Sequence, residues 1–467
     1  MARRYHINPK TGRPNICRAQ TPERCEYAKG DDIPEHYDTK EEAREAYAKS
    51  MSDQTVSTVS ANSGGADEGK SFSSDVAVFV KGDDPEFPDM HRMYASRDIP
   101  ELGIKKGDKG GLVETPENVS GDAWVGEGAQ VRDDAWVQNN AVVLGDSVIS
   151  GKAMITMNAV VRDSVVTDDS IVSGKAQVTK SNIGENSHIG NNARVENSRV
   201  EGGVVDHEST VVNSSVIGSS RMVGDSRVYY TPRVEGNSMV SNSIISGQAL
   251  IQSSNIDDSE VRYSGAVIRS DVTRESLIDG HASVVDTTVN RSVVTEFASV
   301  EKSKIAELSQ VKGAAIVTSS EVTNNAQVTG NASVADSKVV DTGRASGEAM
   351  VVNDSIVLGH ITDRAYINDS TIGWNVELAE NAKVNKYCEI GGEGVRIAGN
   401  AEISRGTMIS GDGFVVDGDA RVEGFYTLSQ AKGHIGGKAH MKNCALPFEF
   451  DGHSFTEDMV YDSRFFD

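Results

Sequence analysis

From Gly121 onward, apolar residues return on a fixed beat. Val125, Val131, Val137, Val143, Ile149, Ile155 and Val161 recur every six residues. Two positions ahead of each stands a small residue: Ala123, Ala129, Ala135, Ala141, Ser147, Ala153 and Ala159. This [Ala/Ser]-x-[Val/Ile]-x-x-x motif is not the three-and-four spacing of an amphipathic helix. From Ile149 the beat lengthens, and Ile149, Val166, Ile183, Val200, Ile217, Val234, Ile251, Ile268 and Val285 stand 17 apart. Ile305, Val322, Val339 and Ile356 repeat it in a second register, and Val300, Val317, Val334 and Val351 in a third.

A short period sustained this long marks a stacked repeat, whose units bury a continuous core only by sitting on one another. The pattern predicts an all-β fold: one chain wound into a triangular β-solenoid of 17–18 residues per coil. Each side is a short strand bonded to the same side of the coils above and below. Its apolar residue and the small residue two before it share the inward face. A 17-residue coil has lost one residue from one side, giving sides of 5, 6 and 6. Asn, Gly, Asp and Ser supply the corners. Residues 121–430 would make about 18 coils, on the order of 85 Å at ~4.8 Å per coil.

The flanks read differently. Residues 1–50 form a small Cys/His module with a helix signal over 39–49, where Thr39 and Glu42 make a capping box. Residues 51–74 are Ser/Thr/Gly-rich and read as a flexible linker. Residues 75–118 read as the N-terminal cap of a solenoid spanning 119–430. Residues 431–467 read as its C-terminal cap, with Phe448, Phe450, Phe455, Tyr461, Phe465 and Phe466 to cover the last coil.

Composition supports the thin interior, since aromatics are only 6% of the chain. Net charge is −23; residues 1–112 carry 17 basic and 20 acidic side chains, leaving 29 and 49, a net of −20, for the rest. Such a surface repels nucleic acid and keeps a long sheet protein soluble. Four cysteines are too few for a disulfide scaffold. No membrane span and no secretory h-region are evident, so the expected location is a reducing cytoplasm.

The [Val/Ile]-x-x-x-[Ala/Ser]-x pattern resembles the hexapeptide-repeat left-handed β-helix family over about two-thirds of the chain. The stretch KKGDKGGLVETPENVS before GDAWV is similar to phage and prophage hexapeptide-repeat proteins of unknown function. HINPKTGRPNICRAQTPERCEYA with EHYDTKEEAREAY resembles a short N-terminal module shared by bacterial and phage proteins. The resemblance implies a left-handed coil and a location in the cytoplasm of a bacterial host or in a phage virion, and brings no reaction with it.

Three sets of residues carry candidate chemistry. His6, Cys17, Cys25 and His36 could close a tetrahedral zinc site that staples a module too small for much core, although no CxxC knuckle is present. A buried thiol pair or a disulfide is the other reading. Hexapeptide acyltransferases use a His in an intersubunit cleft as general base, and His188, His207, His281 and His360 are the candidates. No long loop interrupts the coils to build a substrate pocket. Finally, the residue before each of the nine in-phase positions is apolar at Val148, Val165, Val216, Leu250, Val267 and Val284. With Trp124 and Trp136, these predict an outward stripe for self-association, most simply around a three-fold axis.

The expected function is a non-enzymatic phage- or prophage-encoded structural or interaction protein, binding itself and a further protein partner but no nucleic acid or membrane. The alternatives are a hexapeptide-repeat acyltransferase, and an acidic nucleic-acid mimic that inhibits a host enzyme.

Overall fold

The computed structural model describes residues 4–7, 14–17, 74–424, 427–428, 432–442, 454–455 and 460–462. The chain forms two units, Met1–Ser71 and Phe72–Asp467. In the first, β1 (Arg4–Ile7) and β2 (Pro14–Cys17) form an antiparallel ribbon with His6 opposite Asn15 and Arg4 opposite Cys17. The helix expected over 39–49 and the linker through residue 73 lie outside the described residues. Among the described residues there is no α-helix.

The second unit opens on an antiparallel meander of β3 (Ala77–Lys81), β4 (His91–Ala95) and β5 (Lys109–Val113). Leu112 and Val113 then pair in parallel with Gln130 and Val131, so the meander continues into one face of the first coil. The KGDKGGLVETPENVS stretch makes this join. Any side chain at Gly110 would come within 2.8 Å of Val125 O, and one at Gly111 within 2.5 Å of Ala129 O. Glu114 accepts the Asp133 amide at 2.6 Å. Buried Asn118 accepts the Thr115 amide at 2.7 Å and donates to Asp133 O and Ala135 O at 2.9 and 2.8 Å. These residues tie the cap to coil one.

Beyond the cap the chain winds about 19 turns of a parallel β-solenoid with three faces. Face A stacks Val131, Ile149, Val166, Ile183 and Val200; face B stacks Val137, Ile155, Val172 and Ile189; face C stacks Val125, Val143, Val161 and Val178. Each of these residues is 0% exposed. Pairing continues past residue 430, through His434–Ile435 and His440–Lys442 to Ser454–Phe455 and Val460–Asp462.

The strict 17-residue count slips at four positions. The buried member of face A is Val216 rather than Ile217, Val267 rather than Ile268, and Val284 rather than Val285; on face B it is Val357 rather than Ile356. The physical reason is that coil length varies. Val200 to Val216 is 16 residues, Val216 to Val234 is 18, and Val384 to Ile403 is 19. The short side also moves. It lies between faces C and A at Val161–Val166 and between A and B at Val267–Val272. Val300, Val317, Val334 and Val351 are not a separate register, because they continue face A.

The residue two before each core position differs between short and long sides. On six-residue sides with Ala at this place its amide closes a turn onto the carbonyl three back, as in Ala153 N to Ser150 O and Ala176 N to Ser173 O, both 3.3 Å, whereas Ser276 and Ser355, also on six-residue sides, donate to Ser259 Oγ and Ser337 Oγ at 3.3 and 3.2 Å. A five-residue side lacks that turn. There the amide donates instead to the hydroxyl of the serine stacked one coil earlier. Ser181 donates to Ser164 Oγ, Ser270 to Ser254 Oγ and Ser337 to Ser320 Oγ at 3.1 Å, and Thr287 donates to Ser270 Oγ at 3.0 Å. Each hydroxyl in turn donates to a carbonyl two residues back, as Ser270 does to Ile268 O at 2.7 Å. Every five-residue side carries Ser, Thr or Gly at this place and none carries Ala, which has no hydroxyl to hold the next amide. The serine columns therefore make coils of unequal length stackable.

Candidate functional site

The four candidate histidines do not converge. His360 is exposed on face C, and His281 stands at the corner between faces C and A, stacked on Phe297 with centroids 5.2 Å apart. His188 and His207 lie about one coil apart and share Asp206. The His188 imidazole Nε2 is 3.2 Å from Ser173 Oγ. Asp206, only 7% exposed, accepts from Asn191 Nδ2 at 2.6 Å and the His207 amide at 2.8 Å, and its Oδ2 is 3.5 Å from His207 Nδ1. Gly190 makes the space, since a side chain there would come within 2.7 Å of Asp206 Oδ1 and 3.2 Å of His188 Nε2. The same His-Ile-Gly sequence recurs at His434, whose Nε2 meets Asp417 Oδ1 at 2.9 Å beside Gly436. That triplet is the sequence signal for both clusters.

Burial holds the His188 pKa below its ordinary value; Arg221 lowers it further and Asp206 opposes both. The unfolded chain then binds the proton more readily than the folded one. Stability from this group is full above the unfolded value of about 6.5 and falls as pH drops below it. His188→Gln is expected to flatten the dependence of melting temperature on pH between 7.5 and 5.5. An unchanged slope would show that His188 does not titrate against folding.

The predicted outward stripe is corrected in half of its members. Val216, Val267 and Val284 are 0% exposed and Trp124 is 2% exposed, so none of them can present an interface. The three valines are the true core of coils whose count slipped by one. Trp124 joins one hydrophobic cluster with Val76, Met93 and Ile99 of the cap. Val148 and Leu250 are half-buried, while Val165 and Trp136 are exposed.

Replacing the misplaced residues by the true outward ones reveals a longer surface on the same face. From Leu250 to Asn368, face A turns two residues per coil outward. They are Leu250, Gln252, Ala266, Ile268, Ser283, Val285, Ser299, Glu301, Ile316, Thr318, Ser333, Ala335, Met350, Val352, Tyr366 and Asn368. Glu301 alone is charged, and Lys302 lies 3.2 Å from it. Over the same coils face B carries Asp257, Asp271, Lys304, Glu321 and Lys338, with Glu321 bridging Lys304 and Lys338 at 2.9 and 3.6 Å. Face C carries Glu260, Arg262, Asp279, Lys312 and Arg344. Ile316 is 50% and Met350 45% exposed on the uncharged strip.

Of the metal candidates, His6 and Cys17 fall on β1 and β2, and Cys25 and His36 lie outside the described residues. No helix among the described residues is long and apolar enough to cross a membrane.

No protein-family model matches the chain, and no curated protein does. Among solved structures, the chain is similar to one from Desulfovibrio desulfuricans G20 named for an inferred acetyltransferase, with 10% identity and a TM-score of 0.15. The match covers 58% of this chain and 66% of that one, just under two thirds of its length.

Proposed function

We propose that this protein is a non-enzymatic scaffold of phage or prophage origin, a rigid solenoid that associates with a second copy of itself through the uncharged strip of face A. The observation that carries this reading is the contrast between faces: one charge along Leu250–Asn368 against five on each neighbouring face. Copies of a chain with net charge −23 repel one another. They can approach closely only where charge is missing, and a flat sheet face is the shape that packs on its own copy. A strip spanning seven coil steps of ~4.8 Å and on the order of 12 Å wide offers about 400 Å² per copy. That is at the small end for interfaces, so the association is weak, in the micromolar range or above.

Ile268→Glu, Ile316→Glu and Met350→Glu made together are expected to shift the native mass to monomer in light scattering at tens of micromolar, with melting unchanged. A wild-type chain already monomeric there would overturn the proposal.

The acyltransferase reading rests on one cluster, in which a neutral His188 beside Ser173 and Asp206 could accept a proton. Acyl-CoA turnover lost in His188→Ala would favour it. The nucleic-acid mimic has less support, because many face acids are ion-paired within the solenoid, as in Arg199–Glu201, Arg233–Glu235 and Arg269–Asp286.

A further inference from the structure

The corner between faces C and A differs from the other two in the middle of the solenoid. Successive coils place Gly247, Tyr263, Gly280 and Glu296 at its turn, each with positive φ. Tyr263 is 66% exposed, and the coils before and after it carry Gly247 and Gly280 at the same turn position. One coil beyond Gly280, Phe297 is 67% exposed, and His281 covers one of its faces. An open groove of about 660 Å³ runs along these turns, lined by Gln248, Tyr263, Asp279, His281 and Glu296 among others. Asp279 accepts the Gly280 amide at 2.7 Å, which fixes its carboxylate at the groove. No lysine or arginine among the described residues forms an ion pair with Asp279 or Glu296. Arg262, which holds the position of Asp279 one coil earlier, is already paired with Glu260.

Exposed aromatic faces and two carboxylates without a counter-ion recognise one chemistry. An ammonium or guanidinium is attracted by the ring quadrupole and by both carboxylates, whereas an anion is repelled. We propose that this corner is a binding site for arginine or lysine side chains of a basic partner peptide. It lies outside the uncharged strip, so peptide binding and self-association can fail separately.

The test uses the full chain and a fluorescein-labelled (Arg-Gly)4 peptide, with fluorescence polarisation at physiological salt. Because any polycation adheres weakly to an acidic protein, the decisive variant keeps the charge. Tyr263→Ala is expected to weaken binding about threefold to fivefold. Asp279→Asn with Glu296→Gln is expected to weaken it at least as much. Asp225→Asn with Glu208→Gln, which removes the same charge elsewhere, is expected to leave it within twofold. Equal loss in both charge-removing pairs together with no effect of Tyr263→Ala would overturn the site. So would binding of a neutral oligosaccharide such as maltohexaose, lost in Tyr263→Ala, with no response to the peptide.

Discussion

Val216→Lys is expected to remove the folded protein from solution, while Ile217→Lys, one residue later, leaves it folded and soluble. Val216 is 0% exposed and stacks between Val200 and Val234 on face A. A lysine there has no buried partner. It either carries a desolvated charge or folds with a strongly lowered pKa, and each route costs several kcal/mol. A solenoid distributes its stability among nearest-neighbour coils, so that cost falls on the two adjoining interfaces. Ile217 is half-buried and faces outward between Glu201 and Glu235 of the neighbouring coils. A lysine at that place gains two carboxylate neighbours and is expected within about 0.5 kcal/mol of wild type. Soluble yield and the far-UV thermal transition of the two variants decide the matter. Equal damage at both positions would mean that the face A register is wrong.

Ser270→Ala is expected to destabilise by about 1–3 kcal/mol, the cost of leaving a buried amide without an acceptor. The Ser270 hydroxyl accepts the Thr287 amide at 3.0 Å and donates to Ile268 O at 2.7 Å, on a five-residue side that has no turn bond to substitute. Ser309→Ala is the matched control. Ser309 sits on the six-residue side from Ile305 to Val311, and its hydroxyl donates to Ala306 O at 2.7 Å. Its loss is expected to cost about 1 kcal/mol or less. Midpoints of urea unfolding compare the two directly. If Ser309→Ala costs as much as Ser270→Ala, the hydroxyl columns do not set the length of a side.

The candidate surface was legible as an idea and misplaced in detail. The recurrence of apolar residues beside the core positions pointed to face A. A slip of one residue at Ile217, Ile268 and Val285 nevertheless exchanged inside for outside, because strand side chains alternate with a period of two. The near absence of charge from Leu250 to Asn368, with Glu301 the one exception, emerges only after that exchange is undone. The Ser173–His188–Asp206 cluster joins residues from successive coils, and no local pattern announces it apart from glycine two places after the histidine.

The sequence by itself determined that this chain is a parallel β-solenoid. An alternation of small and β-branched residues every five or six positions, sustained over hundreds of positions, can bury its apolar members only by stacking coils. The same sequence held part of the rule for side length, since alanine stands only where a side is long. Tertiary structure decided which residue of each valine or isoleucine pair lies inside. That choice depends on the length of each side, and on a short side the amide two residues before the core position is held by a hydroxyl of the coil before. It is a contact between residues some 17 positions apart, so single-strand patterning could not read it. Stacking also gathered the uncharged outward residues into one strip and set Tyr263 in one turn column with Gly247 and Gly280. Those arrangements exist only once coils of 15 to 19 residues lie in register.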